Sequence, residues 1–365
     1  MNPGDKILDT HGHFRRLGAY IGRGGEGTVF SLQHQTDILI KCYHAGRRVL
    51  PAYNKEQRAK ITHQISMFAA LRALPLAWPR VLIFDEMQNW LGYAMYHARG
   101  FPLAKLIHPN LYHHHAPALN RIELVGYLLN LLTTLDALHR QNIFVGDLNP
   151  HNLLCDPHTG TVTLLDCDSF QIPYTDNQVF ACTVGHPSLL PPEFRGKSLK
   201  ETRRNAASDC YAVAMITFMT LMMGRHPFDH QGGESLADNM MKGFFPYARC
   251  NMSADGQHHI PLGEWRFLWQ MIPETLQQLF ERCFIDGLHQ PEKRPTLTEF
   301  QQHLQHYHGQ LVKGEKAPCL GIPRRMAQET QTKTELKSTM IHRTTPKRAV
   351  ASRVVEHRSL RASLY

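Results

Sequence analysis

Between Tyr20 and Val29 the chain sets glycines at 22, 24 and 27 and a valine at 29, in the order Gly-x-Gly-x-x-Gly-x-Val. The residues after the third glycine limit the fold most. Thr28, Val29, Phe30, Ser31 and Leu32 favour strands, a polar break covers residues 33–37, and Ile38, Leu39 and Ile40 resume the pattern up to Lys41. A dinucleotide-binding turn with the same glycine spacing would open a helix after its third glycine. No helix-forming run stands there, so a hairpin is expected. A loop whose residues lack Cβ lets backbone N–H groups approach phosphate oxygens closely, and the hairpin holds it over them.

The second organising stretch is Val145-Gly146-Asp147-Leu148-Asn149-Pro150-His151-Asn152, joined through a short hairpin to Leu164-Leu165-Asp166-Cys167-Asp168. Two carboxylates and an amide on short loops suit a divalent cation and a hydroxyl nucleophile. Asp and Asn are common turn residues, so Asp-x-x-x-x-Asn alone specifies little. Its company is what decides. Asp147 and Asn152 have the spacing of the protein-kinase catalytic loop, H-R-D-x-x-x-x-N. The apolar run 162–165 stands before D-F-G, and Ile38–Lys41 stands where V-A-I-K would be. Further on, Val184-Gly185-His186-Pro187 to Pro191-Pro192-Glu193 aligns with V-G-T-P-x-Y-x-A-P-E, Ser208-Asp209-Cys210-Tyr211 with the start of a buried helix, and Lys293-Arg294-Pro295-Thr296 with the arginine motif near the domain end. Over residues 14–307 the chain therefore resembles the bacterial eukaryotic-like (Hanks-type) Ser/Thr protein kinases, with divergent HRD and DFG motifs.

The resemblance implies an α+β, bilobal protein-kinase-like fold, with a small β-rich lobe carrying one main helix and a larger, mainly helical lobe. The expected boundaries are 14–98 for the small lobe and hinge, 99–308 for the large lobe and 309–365 for a tail. It also implies ATP-dependent transfer of the γ-phosphate to Ser/Thr hydroxyls of protein substrates, the chain itself among them, with Mg²⁺ or alternatively Mn²⁺. Gly22, Gly24 and Gly27 would cover the phosphates, and Val29, Met95, Tyr96 and Ala98 would line the nucleotide site, although Met95 reads equally well as core. Lys41 would orient the phosphates, held by Glu56, the only acidic residue between Lys41 and Asp85. Glu56 has an alternative as a surface glutamate near Lys60. Asp147 would take the proton of the attacking hydroxyl, and Asn152 and Asp166 would hold the metal. Glu193 and Arg294 would form an ion pair in the large lobe, and Asp209 would brace the catalytic-loop backbone.

Several positions depart from the family pattern. Val145-Gly146 replaces His-Arg, so a phosphate on the activation segment lacks its usual partner beside Asp147. Asn149 replaces the catalytic-loop lysine; it could still donate a hydrogen bond to the γ-phosphate but brings no charge. His186 replaces a threonine. Asp168 replaces the glycine of D-F-G, where it either adds negative charge near the cation or bonds a neighbouring amide. These changes keep a second reading in play, a nucleotide-binding pseudokinase acting as a scaffold or switch. Retention of Lys41, Glu56, Asp147, Asn152 and Asp166 together weighs against it.

In coarse terms, apolar positions 61, 65, 68 and 71 predict a helix over 52–74, and the leucines from 124 to 138 predict a core-facing helix over 121–140. Strands are expected at 81–84 and 91–95. The net charge is +9, but residues 311–365 hold twelve Lys/Arg against four Asp/Glu, so nearly all the excess lies in the tail. Nucleic-acid binding by the core is not expected. The tail, polar and poor in aromatics, reads as disordered and open to an anionic partner; the kinase resemblance adds a cognate protein phosphatase to the expected partners. No apolar run is long enough to span a bilayer, no signal peptide is evident, and eight scattered cysteines without C-x-x-C spacing fit reduced thiols, so a cytoplasmic setting is expected. His113-His114-His115 are sequential neighbours, which converge poorly on one metal ion.

Overall fold

The strand-forming runs around the glycine loop are antiparallel neighbours in the computed structural model, which describes residues 1–48, 50–229, 235–248 and 265–321. β1 (Lys6–Asp9), β2 (Phe14–Arg23), β3 (Gly27–Leu32), β4 (Gln35–Tyr43), β5 (Val81–Phe84) and β6 (Trp90–Tyr96) close into a barrel in the order β1-β2-β3-β4-β6-β5. Closure comes from β1, in which Leu8 pairs with Phe14 on one side and Phe84 on the other. This strand lies ahead of residue 14, where the small lobe was expected to begin. Its Ile7 is fully buried with Leu17, Phe30, Ile40 and Ile83, so the barrel core needs it. Closure also removes free sheet edges.

After β4 come a short helix, α1 (Ala45–Arg48), and the long α2 (Pro51–Leu71), which starts on proline where a missing N–H costs nothing. Ile61 of α2 packs with Leu39, Tyr43, Tyr93 and Met95, tying the helix to the barrel.

The second half is mainly helical. β7 (Phe101–Pro102), α3 (Leu103–Leu106) and α4 (Tyr112–His115) lead to α5 (Arg121–His139), whose start is fixed by a reciprocal cap between Asn120 and Glu123. β8 (Leu153–Cys155) and β9 (Val162–Leu164) pair as the hairpin between the two carboxylate loops, and β10 (Ile172–Thr175) pairs with β11 (Gln178–Phe180). α6 (Ala206–Leu221) is buried almost all round, as an apolar helix at a domain centre must be. Around it lie α7 (Leu236–Lys242), α8 (Trp265–Met271), α9 (Glu274–Glu281) and α10 (Leu297–Val312). Phe218 of α6 sits among the rings of Phe245, Trp269, Phe280 and Phe284.

The chain does not leave the domain at 309. α10 continues to Val312, the Arg121 amide donates to the Pro318 carbonyl at 2.7 Å, and Leu320 is buried in the large core. Residues 322–365, most of the expected tail, lie outside the described residues. Among the described residues no helix is long and apolar enough to cross a membrane.

Candidate active site

Lys41 lies near the end of β4, its side chain buried where the barrel meets the second half of the chain. Its ammonium touches both oxygens of Asp168, at 2.8 and 2.9 Å, and Asp166 Oδ1 at 3.2 Å. Asp168 is completely buried and also accepts hydrogen bonds from the hydroxyls of Tyr43, at 2.7 Å, and Tyr93, at 2.9 Å. Burial alone would push its carboxyl up, but the charge and hydrogen bonds of Lys41, with the two hydroxyls, hold it below the usual carboxylate range. Lys41 mirrors this. Burial would lower it, and the charges of Asp168 and Asp166 raise it above an ordinary lysine. Burial, and then the Asp168 charge, push Tyr43 and Tyr93 well above the phenol range, so both remain donors.

Two expectations are corrected here. Asp168 does not bond a neighbouring amide, and with both oxygens committed to Lys41 and two tyrosines it has none left for a metal. Glu56 does not hold Lys41 but meets Lys200 at 2.7 Å, with both side chains more than half exposed. The reason is competition: Asp168 and Asp166 already take the Lys41 ammonium, and Lys200 takes Glu56. The residues of α2 that face the site are Gln57, which donates to the Tyr43 hydroxyl at 2.9 Å, Lys60, which donates to the Ala181 carbonyl at 3.1 Å, and Gln64, which donates to the Cys167 carbonyl at 2.7 Å. Their spacing of three and four residues makes one face, and Glu56, one turn before Lys60, stands at its edge and lines the same cavity as Asp168 and Lys200. Among the described residues the buried Lys60 has no carboxylate in salt-bridge contact, and desolvation lowers its pKa.

Asp147, Asn149 and Asn152 lie on the loop ahead of β8. The Asp147 Oδ1 accepts the backbone N–H of His186 at 2.9 Å, so the main chain supplies a contact at the position where the family has a threonine. The Asn149 side chain is buried and serves the loop itself. Its Oδ1 accepts the amides of His151, at 3.0 Å, and Asn152, at 3.3 Å, and its Nδ2 faces the Asp147 carbonyl at 3.4 Å. In this position it fixes the turn of the loop. The Asn152 amide also meets the Asp147 carbonyl at 3.4 Å, and its own carbonyl accepts the Leu165 N–H at 2.8 Å, coupling the loop to the residue before Asp166. Asp166 is left-handed (φ 51°), a conformation Asp tolerates better than most residues, and its side chain is 55% exposed. The hard oxygens of Asn152 and Asp166, one amide and one accessible carboxylate, fit Mg²⁺. Among the described residues no group of three or more His, Cys, Asp or Glu side chains forms a metal site.

Asp209, in the first turn of α6, accepts the amides of Val145 at 2.9 Å and Gly146 at 3.1 Å, and pairs with His139 Nε2 at 2.9 Å. Gly146 itself is left-handed (φ 69°), and a Cβ there would lie 2.7 Å from Cys182 Sγ and 3.0 Å from Arg204 Nε. The space beside the catalytic loop is thus filled by Arg204, which donates to the Val184 carbonyl at 2.9 Å and stacks on Phe194. At the far side of this lobe Glu193 meets Arg294 at 2.7 Å.

In the glycine loop, Gly22 and Gly24 face open space, whereas a Cβ at Gly27 would come within 2.5 Å of the Cys42 carbonyl. Gly27 is therefore required by strand-to-strand approach, independently of any ligand. Glu26 beside it is largely buried, and desolvation together with the nearby Asp168 charge raises its pKa. Val29 and Met95 pack in the cluster around Tyr43 and Tyr93. Tyr96 is 45% exposed under the Arg80 guanidinium, 3.7 Å from its ring centroid, and Ala98 is half-buried just beyond the end of β6. Tyr43, Tyr93 and Arg204 were not anticipated. Two of them were within reach of strand geometry, because Tyr43 shares a face with Lys41 two residues away and Tyr93 is the cross-strand partner of Lys41.

Comparison with known proteins places the chain. Residues 16–306 match the protein kinase domain, and the chain belongs to that family. It is similar to protein kinase YegI of Escherichia coli K12, 24% identical over 298 residues that cover 79% of this chain and 44% of the relative. It is also similar to the probable serine/threonine-protein kinase ireA of Dictyostelium discoideum, 28% identical over 48% of this chain and 15% of the relative, and to the serine/threonine-protein kinase GRIK1 of Arabidopsis thaliana, 29% identical over 51% and 40%. The chain spans less than half the length of these curated relatives.

Proposed function

We propose that the chain is an ATP-dependent protein kinase that phosphorylates Ser/Thr hydroxyls of protein substrates, itself included. The observation that carries this reading is the placement of Asp147, Asn152 and Asp166 on two loops joined by a main-chain hydrogen bond, with the Lys41 ammonium 3.2 Å from Asp166. A carboxylate base, an oxygen pair for a cation and a buried ammonium are the parts phosphoryl transfer requires. A cation bound by Asn152 and Asp166 would neutralise phosphate charge. The Asp147 carboxylate, held at one oxygen by the His186 amide, takes the proton of the acceptor hydroxyl as its oxygen bonds to the γ-phosphorus and ADP leaves with the electrons of the broken bond. Lys41 orients the phosphates, and rate comes chiefly from positioning and charge neutralisation. Free cysteines at every described position support a reducing, cytoplasmic setting.

The test is transfer from γ-labelled ATP with Mg²⁺ and with Mn²⁺ to the protein itself and to a generic protein acceptor, with identification of the labelled residue type. Asp147→Asn keeps an oxygen for the His186 amide while removing the base, so it isolates the chemistry from the fold. Label on serine or threonine that is lost in this variant is the expected result. ATP binding with no transfer would instead favour the nucleotide-binding switch or scaffold.

A further inference from the structure

Lys41 is held by a carboxylate that does not come from α2. The helix has one acidic residue, Glu56, which lines the cavity that Asp168 also lines but is paired with Lys200 at 2.7 Å. The α2 side chains that hydrogen-bond into the site are Gln57, Lys60 and Gln64, none of which carries negative charge. The negative charge at Lys41 comes from Asp168, whose two oxygens take two contacts from Lys41 and one each from Tyr43 and Tyr93. Gln57 reaches this group only through the Tyr43 hydroxyl, a neutral link. A packing role alone would be served as well by apolar side chains, because a fully buried ion pair recovers little beyond its desolvation cost. An aligned ammonium that must meet phosphate oxygens is a reason to retain it.

We propose that Asp168 is the positioning residue for Lys41, so that the charge orienting the nucleotide phosphates is set from the segment after β9 and not by a carboxylate of α2. This rests on the kinase reading above. It makes the Glu56–Lys200 pair a surface contact with no part in nucleotide use, and it makes the Tyr43 and Tyr93 hydroxyls supports of the same carboxylate.

The experiment is a double-mutant cycle on the full chain, with kcat and KM for ATP measured for Lys41→Met, Asp168→Asn, the double variant and Glu56→Gln. If Asp168 acts through Lys41, each single variant loses on the order of a hundredfold in kcat/KM, the double loses no more than either, and Glu56→Gln stays within about twofold of the parent. Losses that multiply in the double variant, or a Glu56→Gln loss matching that of Lys41→Met, overturn the proposal. Should Asp168→Asn fail to fold, Tyr43→Phe removes one of the hydroxyls on Asp168 more gently. A loss of about tenfold is expected there, and unchanged kinetics count against the proposal. The kinase reading fails by a separate sign: a parent chain that binds ATP but labels no hydroxyl. The same cycle, read then in ATP affinity, still decides whether Asp168 works through Lys41.

Discussion

Arg294 meets Glu193 through two parallel hydrogen bonds, Nη1 to Oε1 and Nη2 to Oε2, each 2.7 Å long. The guanidinium is buried, and its Nε donates to the Gly287 carbonyl at 2.8 Å, so one side chain ties the 3-10 turn at Glu193 to the loop ahead of α10. Glu193 is 28% exposed, which lets water screen it partly once the arginine is gone. Arg294→Ala is expected to cost about 3 kcal/mol, the lower end for breaking a buried pair, in urea unfolding. Arg294→Lys is expected to recover only part of this, because an ammonium cannot form the fork. A cost below about 1 kcal/mol for the alanine variant would show the pair to be incidental.

Gly146 offers a sharper test of the catalytic loop. An alanine there must take a left-handed conformation and push its Cβ against Cys182 and Arg204. Gly146→Ala is expected to lose about 1–3 kcal/mol in stability and to lower phosphate transfer, since Asp147 is the next residue. Gly146→Arg, which restores the residue usual in the family, is expected to be worse still, because Arg204 already fills that space. A well-folded Gly146→Arg protein with improved transfer would refute this account.

Asp209 holds two amides of the same loop. Asp209→Ala leaves the N–H groups of Val145 and Gly146 without their acceptor, at about 1–3 kcal/mol for each buried group left unmet. Asp209→Asn keeps one acceptor oxygen and is expected to fall between the parent and the alanine variant. Hydrogen exchange at Val145 and Gly146 should quicken in the same order, and unchanged exchange would argue that the loop holds itself.

His226 gives the stability a pH dependence. Its Nε2 faces the Ser188 carbonyl at 2.9 Å and its Nδ1 the Phe228 amide at 3.2 Å, an arrangement met by the neutral ring with the proton on Nε2. Burial lowers its pKa to about 4. The unfolded chain, titrating near 6.5, binds the proton first as pH falls, so the contribution is intact above about pH 6.5 and is lost progressively down to about pH 4. About 3 kcal/mol should disappear over that window, and His226→Asn should flatten the stability profile there. An unchanged profile in that variant would assign the acid sensitivity elsewhere.

The residues that local pattern could reach are those whose roles are local. The hairpin after Gly27, the strand at Val81–Phe84 and the helix beginning at Arg121 arise from strand-forming runs, apolar spacing and a capping pair. The partner of Lys41 was not local, since it lies 127 positions along the chain. Glu56, one turn before Lys60, has a workable helical phase, and only the tertiary contacts show that Asp168 takes the Lys41 ammonium while Lys200 takes Glu56. The closing strand β1 was passed over because four residues carry too little periodicity to stand out from a polar N-terminus. Arg204 was invisible for a different reason: the space it fills exists only because Gly146 lacks a side chain.

The buried thiols of this protein have a practical consequence. Cys42 lies in the barrel, Cys155, Cys167 and Cys182 around the site, and Cys210 and Cys283 in the helical core, all free and buried. Burial pushes the thiol of Cys42 up to about 11 and those of Cys155 and Cys210 to about 12, so an alkylating reagent meets almost no thiolate until the surrounding structure opens. Labelling tracked peptide by peptide would therefore read the opening free energy of each region separately, with no probe introduced. The wild-type chain carries its own set of position-resolved timers for the order in which barrel, site and helical core come apart.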